Sequence, residues 1–195
     1  SDENLPKEDE NIVTGTDDGQ DEKDQLPEEN TGEEDQTTDE KGDGEQGDSE
    51  LLKGDLTKIV EKIYEKKDTG LMLQNTPVDL ADKDIVKYNT GLEDVSKVKE
   101  AVVSEAMISS QAYSMVILRV NDPADVKEVA NAMLNGIDTR KWICVAADDI
   151  KVVTHDDLVL LAMVDSSMNE VVTSQQLVDA FGEICDTQFE TVLTK

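Results

Sequence analysis

His155 is the one histidine among 195 residues, so any catalytic triad, imidazole acid–base pair or His-dependent zinc site in this chain would have to use it. It stands beside Asp156 and Asp157 between two β-prone runs, where an exposed turn residue is expected. Cys144 and Cys185 lie 41 residues apart, and neither belongs to a CxxC or CxxxH arrangement. Each falls in an apolar pattern, which predicts buried free thiols, although export would allow them to pair. Cys144 with His155 is the one thiol–imidazole pairing conceivable, and nothing in the spacing brings the two together.

The chain has no GxxxxGK[ST] phosphate loop and no GxSxG nucleophile elbow. Gly136 and Gly182 stand alone. The abundant acids invite a calcium test, which fails. A loop opening at Asp17 places Glu22 where the sharp turn needs glycine, and one opening at Asp43 reaches Gly54 where a carboxylate is required. No metal and no cofactor is expected. Ser104, Ser109, Ser110 and Ser114 flank one predicted hairpin, with no histidine near them in sequence. The feature most suited to recognition is Ser104–Tyr113. It gathers Ser104, Glu105, Ser109, Ser110, Gln111 and Tyr113, with Met107, in and around one turn. A carboxylate, small hydroxyls, an amide and an aromatic ring there make a candidate binding edge; the bland alternative is hairpin chemistry with Met107 in the core.

The elements that would position this edge begin after an abrupt change of composition. The chain holds 18 basic and 46 acidic residues, a net charge of −28. Residues 1–50 carry 21 acids against Lys7, Lys23 and Lys41, and their only large apolar residues are Leu5, Ile12, Val13 and Leu26. Such a segment cannot offset a backbone ordering cost of roughly 1–2 kcal/mol per residue, so it is expected to be a disordered acidic spacer. Random-coil scaling gives fifty residues a reach of roughly 35–45 Å, which self-repulsion would lengthen. Residues 51–195 carry periodic apolar groups and are long enough to form one self-sufficient core.

In that second part, Leu52, Leu56, Ile59, Val60 and Ile63 predict a helix over 51–67, followed by a connection over 71–80. A short helix is expected over 82–88, with Asp79 or Asp82 as cap and Gly91 beyond its end. Residues 99–108 and 112–120 predict an antiparallel hairpin, whose second strand is apolar on both faces and therefore covered twice. Asp122-Pro123 starts a helix running to about 140, with Trp142 packing near its end. Residues 150–154 and 158–164 form a second hairpin, and a last helix covers 167–186. The order is α-α-ββ-α-ββ-α: an α+β domain whose four-stranded, mostly antiparallel sheet packs against helices.

The run AVVSEAMISSQAYSMVILRV, residues 101–120, resembles a domain-of-unknown-function family of extracytoplasmic lipoproteins from Gram-positive, Clostridia-like bacteria. The opening helix at 56–66, the Tyr88…Gly91-Leu92 step, Ala112-Tyr113, the Asp122-Pro123 helix and the closing 177–181 segment extend the likeness over most of residues 52–185. The resemblance implies a lipid-anchored α+β domain displayed on a spacer, with its anchoring Cys and signal peptide upstream of Ser1. It implies no activity.

Charge narrows the partners. A chain this acidic is repelled by phosphate backbones and anionic lipid, so nucleic-acid binding is excluded, and membrane contact is expected only through the upstream anchor. No run approaches the 18 apolar residues of a spanning helix. The leading expectation is a noncatalytic cell-envelope module that binds an undefined ligand or envelope protein. The alternatives are a hydrolase built from carboxylates and serines, and an acidic inhibitor that mimics nucleic acid.

Overall fold

Asp55 decides how the chain enters its folded part. Its carboxylate accepts a hydrogen bond from Thr57 N at 2.7 Å, starting a new helix where the apolar period alone suggested continuity. A computed structural model describes residues 43–195, and in it α1 spans Asp43–Lys53 and α2 spans Leu56–Lys66, with Gly54 and Asp55 at the break. The helix expected over 51–67 is therefore two. The acidic spacer expected ahead of the domain falls, up to residue 42, outside the described residues.

The remaining elements are β1 (Leu73–Pro77), α3 (Lys83–Thr90), β2 (Val98–Ala106), β3 (Tyr113–Val120), α4 (Val126–Gly136), β4 (Asp149–His155), β5 (Leu158–Val164), α5 (Ser174–Ile184) and β6 (Leu193–Thr194). They form one antiparallel sheet in the order β1-β2-β3-β5-β4-β6. The expected α+β class holds, but the sheet has six strands where four were expected, and the order of elements differs accordingly. Both additions are edges. β1 lies in the stretch expected to be a connection, and β6 adds two residues beside Val152 and Lys151.

Pro77 explains why β1 reads poorly as a strand and still forms one. Met107 N donates to Met72 O and Val78 N to Ala101 O, each at 2.9 Å. Antiparallel alternation between these two bonds turns the backbone groups of Leu73, Asn75 and Pro77 away from β2. The missing N–H of Pro77 thus costs no ladder bond.

β3 and β5 are the sheet's centre and are buried along their whole length. Val116, Leu118, Leu161 and Met163 meet Val129, Met133 and Ile137 on the face covered by α3 and α4. Tyr113, Met115, Ile117 and Leu160 meet Ile59, Ile63, Leu177 and Phe181 on the face covered by α2 and α5. This is the double cover that the two-sided apolar pattern of β3 requires. Two helices are shorter than expected. Pro123–Asp125 and Ser166–Met168 form separate single turns, and α5 starts only at the Thr173/Gln176 capping box.

Candidate functional site

Strand alternation divides the residues of the sequence-derived binding edge. Glu105 and Ser114 are direct cross-strand partners on the α3/α4 face, whereas Ser104 and Tyr113 point to the α2/α5 face. Ser109 and Ser110 are exposed at the tip between β2 and β3, and Gln111 is half-buried beside them. Neighbours in sequence therefore serve two separate clusters.

On the α3/α4 face the organising residue is Lys141, which the sequence reading passed over. It is placed by a close approach of two helix ends. A Cβ on Gly136 would lie 2.0 Å from Gly91 O, so only glycine lets the end of α4 rest against the end of α3. Gly91 also adopts φ 76°, the left-handed geometry that ends α3. The segment leaving α4 consequently passes Tyr88 and carries Lys141 beneath it. Lys141 Nζ donates to the Glu105 carboxylate and, at 3.2 Å, to Ser114 Oγ. It also lies 4.6 Å from the Tyr88 ring centroid and 5.2 Å from that of Trp142. Its side chain is 1% exposed. Burial is the largest influence on this amine and holds its pKa below the usual lysine value, against the opposing pull of Glu105. Tyr88 is shifted upward, first by burial and then by the charges of Glu105 and Asp138.

Around this buried support the apolar side chains face outward. Met107 is 60% exposed, Met72 63% and Ile143, next to Trp142, 98%; Ile108 is exposed at the hairpin tip. Met72 and Met107 are bonded neighbours through their backbones, and Met107 lies two residues beyond Glu105. Trp142 itself packs half-buried on the core.

On the opposite face Tyr64 donates to Ser104 Oγ at 2.7 Å, and the Tyr64 and Tyr113 hydroxyls meet at 2.9 Å. Burial drives the Tyr64 pKa up to about 12 and that of Tyr113 well above its usual value, so both phenols stay protonated. Asn75, cross-strand from Ser104, and Gln111 each keep a buried side-chain oxygen without a partner.

The other sequence candidates lie elsewhere. His155 ends β4 at the far end of the sheet, its Nε2 3.6 Å from Asp156, and shares a cleft with Cys185. Cys185 is buried and its pKa is pushed up to about 12, chiefly by burial. Cys144 is exposed, not buried as expected, because it lies on the outward loop after Trp142; that loop leads into the start of β4, whereas His155 stands at the other end of the strand. Ser174 comes nearest to an activated serine, with Asp149 and Lys151 both bonded to its hydroxyl. It is fully buried at the start of α5, and its backbone N–H also donates to Asp149 at 2.8 Å. This trio anchors a helix to β4. Among the described residues no three His, Cys, Asp or Glu side chains converge as a metal site, and no helix is long and apolar enough to cross a membrane.

Compared with protein-family models, with curated proteins and with solved structures, the chain matches none.

Proposed function

We propose that the folded domain is a noncatalytic interaction module of the cell envelope, carried on the acidic segment as a spacer, which docks a partner protein through the β2–β3 hairpin end of its sheet. The observation that carries this reading is the layering at that end: Met72, Met107 and Ile108 of the hairpin end and Ile143, two residues beyond Lys141, are exposed, while the charge and hydroxyl of the Lys141 cluster are already engaged internally. Exposed apolar groups on a rigid base characterise contact surfaces. Lys141 is committed to Glu105, Ser114 and two rings, so its role is to hold the Trp142–Ile143 loop in place. The envelope location rests on the family resemblance of residues 101–120.

The carboxylates favour this reading over a hydrolase. A carboxyl serving as general acid needs a raised pKa, whereas Glu93, Asp94, Asp148 and Asp149 are all shifted down. Asp149, the most enclosed of them, is held down by Ser174 and Lys151 in spite of its burial.

The test is site-specific photo-cross-linking in the cells that make the protein, with the probe at Ile143 or, as control, at Lys127 on α4. The reading expects one discrete adduct at Ile143, lost in a Met107→Glu background and missing at Lys127. Equal labelling at both positions, or none at Ile143, would overturn it.

A further inference from the structure

The opposite end of the sheet offers a surface of different chemistry. The β4–β5 turn, the C-terminal part of α1 and the C-terminal end of α5 enclose a cleft of about 640 Å³, within the range of ligand-binding clefts. Its floor is apolar, formed by Leu52, Leu158 and Ile184. Its rim carries Asp48, Asp156, Glu183 and Asp186 against Lys53 and His155. Asp157 also lines it but is engaged by Arg119, and Glu183 faces Lys66 Nζ at 3.5 Å, a longer and more exposed pairing.

We propose that this cleft docks a short basic segment of a second protein, with an apolar side chain on the floor and lysines or arginines at the rim. Three observations select this occupant. The rim is predominantly anionic, and the carbonyl end of α5, capped by the cleft residue Cys185, adds the negative pole of a helix dipole. The carboxylates are spread around the opening and do not converge on one point, which suits an extended ligand with several charges better than a single ion. A net charge of −28 then raises the local concentration of basic partners around the molecule. The inference concerns a different surface from the hairpin end and stands or falls without it.

Asp156 and Asp186 have φ values of 48° and 47°, a region that asparagine also tolerates. Charge can therefore be removed by Asp156→Asn and Asp186→Asn, together with Glu183→Gln, without altering the backbone preference. The experiment titrates the ¹⁵N-labelled full chain, at about 150 mM salt to screen loose attraction, with the peptide Lys-Lys-Lys-Leu-Leu-Lys-Lys-Lys. A companion peptide replaces both leucines by glycine. The proposal expects saturable amide shifts at Leu52, Lys53, Leu158 and Ile184–Asp186. It expects at least tenfold weaker binding in the triple variant, and several-fold weaker binding of the glycine peptide. A control neutralising Glu61, Glu93 and Glu170 should bind as the parent does. Shifts confined to residues 1–42, equal loss in the control, or equal binding of the two peptides would overturn it. The peptide comparison needs no variant and decides the apolar floor even if the triple variant is unstable.

Discussion

The two ends of the sheet each bury a cation, and they treat it differently. At the turn end Arg119 donates to Glu100, to both Asp157 oxygens and to Gly54 O, at 2.8 to 3.1 Å. Burial pulls its pKa down most strongly, but the combined bonds and charges of Glu100 and Asp157 outweigh it, and the net shift is upward. At the hairpin end Lys141 has one carboxylate, one hydroxyl and two ring faces, and burial wins. A guanidinium with five donors can be satisfied in a tight corner, whereas an ammonium there remains partly uncompensated. The turn end is thus locked by polar bonds under an acidic cleft, and the hairpin end holds a less secure charge under an apolar surface.

The comparison breaks most severely at the glycine junction that creates the hairpin end. Gly136→Ala should cost about 3–5 kcal/mol, since its Cβ would collide with backbone, and the loss would show as a lowered urea midpoint. Arg119→Met should follow at about 2–4 kcal/mol, because it strands Asp157 and the Gly54 carbonyl with their partner gone. Lys141→Met, which keeps volume and removes a poorly compensated charge, should cost less, about 1–2 kcal/mol by the same urea assay. A larger loss for Lys141 than for Arg119 would reverse the ranking of the two ends.

Titration sharpens the contrast. Lys141 has a lowered pKa in the fold, so as pH climbs toward 10.5 the unfolded chain holds the extra proton, and the parent should gain stability relative to Lys141→Met. Tyr64 has the opposite sign. Its folded pKa is raised from 10.0 to about 12, so its contribution is complete below 10 and is lost as pH rises through 12. Tyr64→Phe should flatten that alkaline loss, followed by urea midpoints across the window. The smallest effect belongs to a helix cap: Thr173→Ala removes the α5 cap and should cost about 1 kcal/mol in thermal unfolding.

What could be read from the sequence follows from local physics. The two hairpins are legible because β5 is an unbroken apolar run and β3 is one interrupted only by Ser114 and Arg119, and Asp122-Pro123 and Gly91 mark helix limits by their own chemistry. β1 is not, because a half-exposed edge strand ending in proline carries neither clean alternation nor an apolar run. The α1–α2 break was present in Asp55-Leu56-Thr57 as a capping signal, hidden by an apolar period that runs through it. The candidate edge is one stretch of chain but two surfaces, since alternation sends Glu105 and Ser104 to opposite faces. Lys141 carried no signal at all. Its partner Glu105 is 36 residues away, and only the Gly91–Gly136 approach brings the loop over β2.

Trp142 is the one tryptophan of the chain and sits at the surface in question, beside Lys141. Its nanosecond fluorescence anisotropy in the full chain therefore reports directly on whether the Trp142–Ile143 loop is held as a firm platform. The ring should tumble with the whole domain in the parent and gain fast local motion in Lys141→Met while the fold persists. Rapid sub-nanosecond depolarisation already in the parent would contradict a supported surface at the hairpin end.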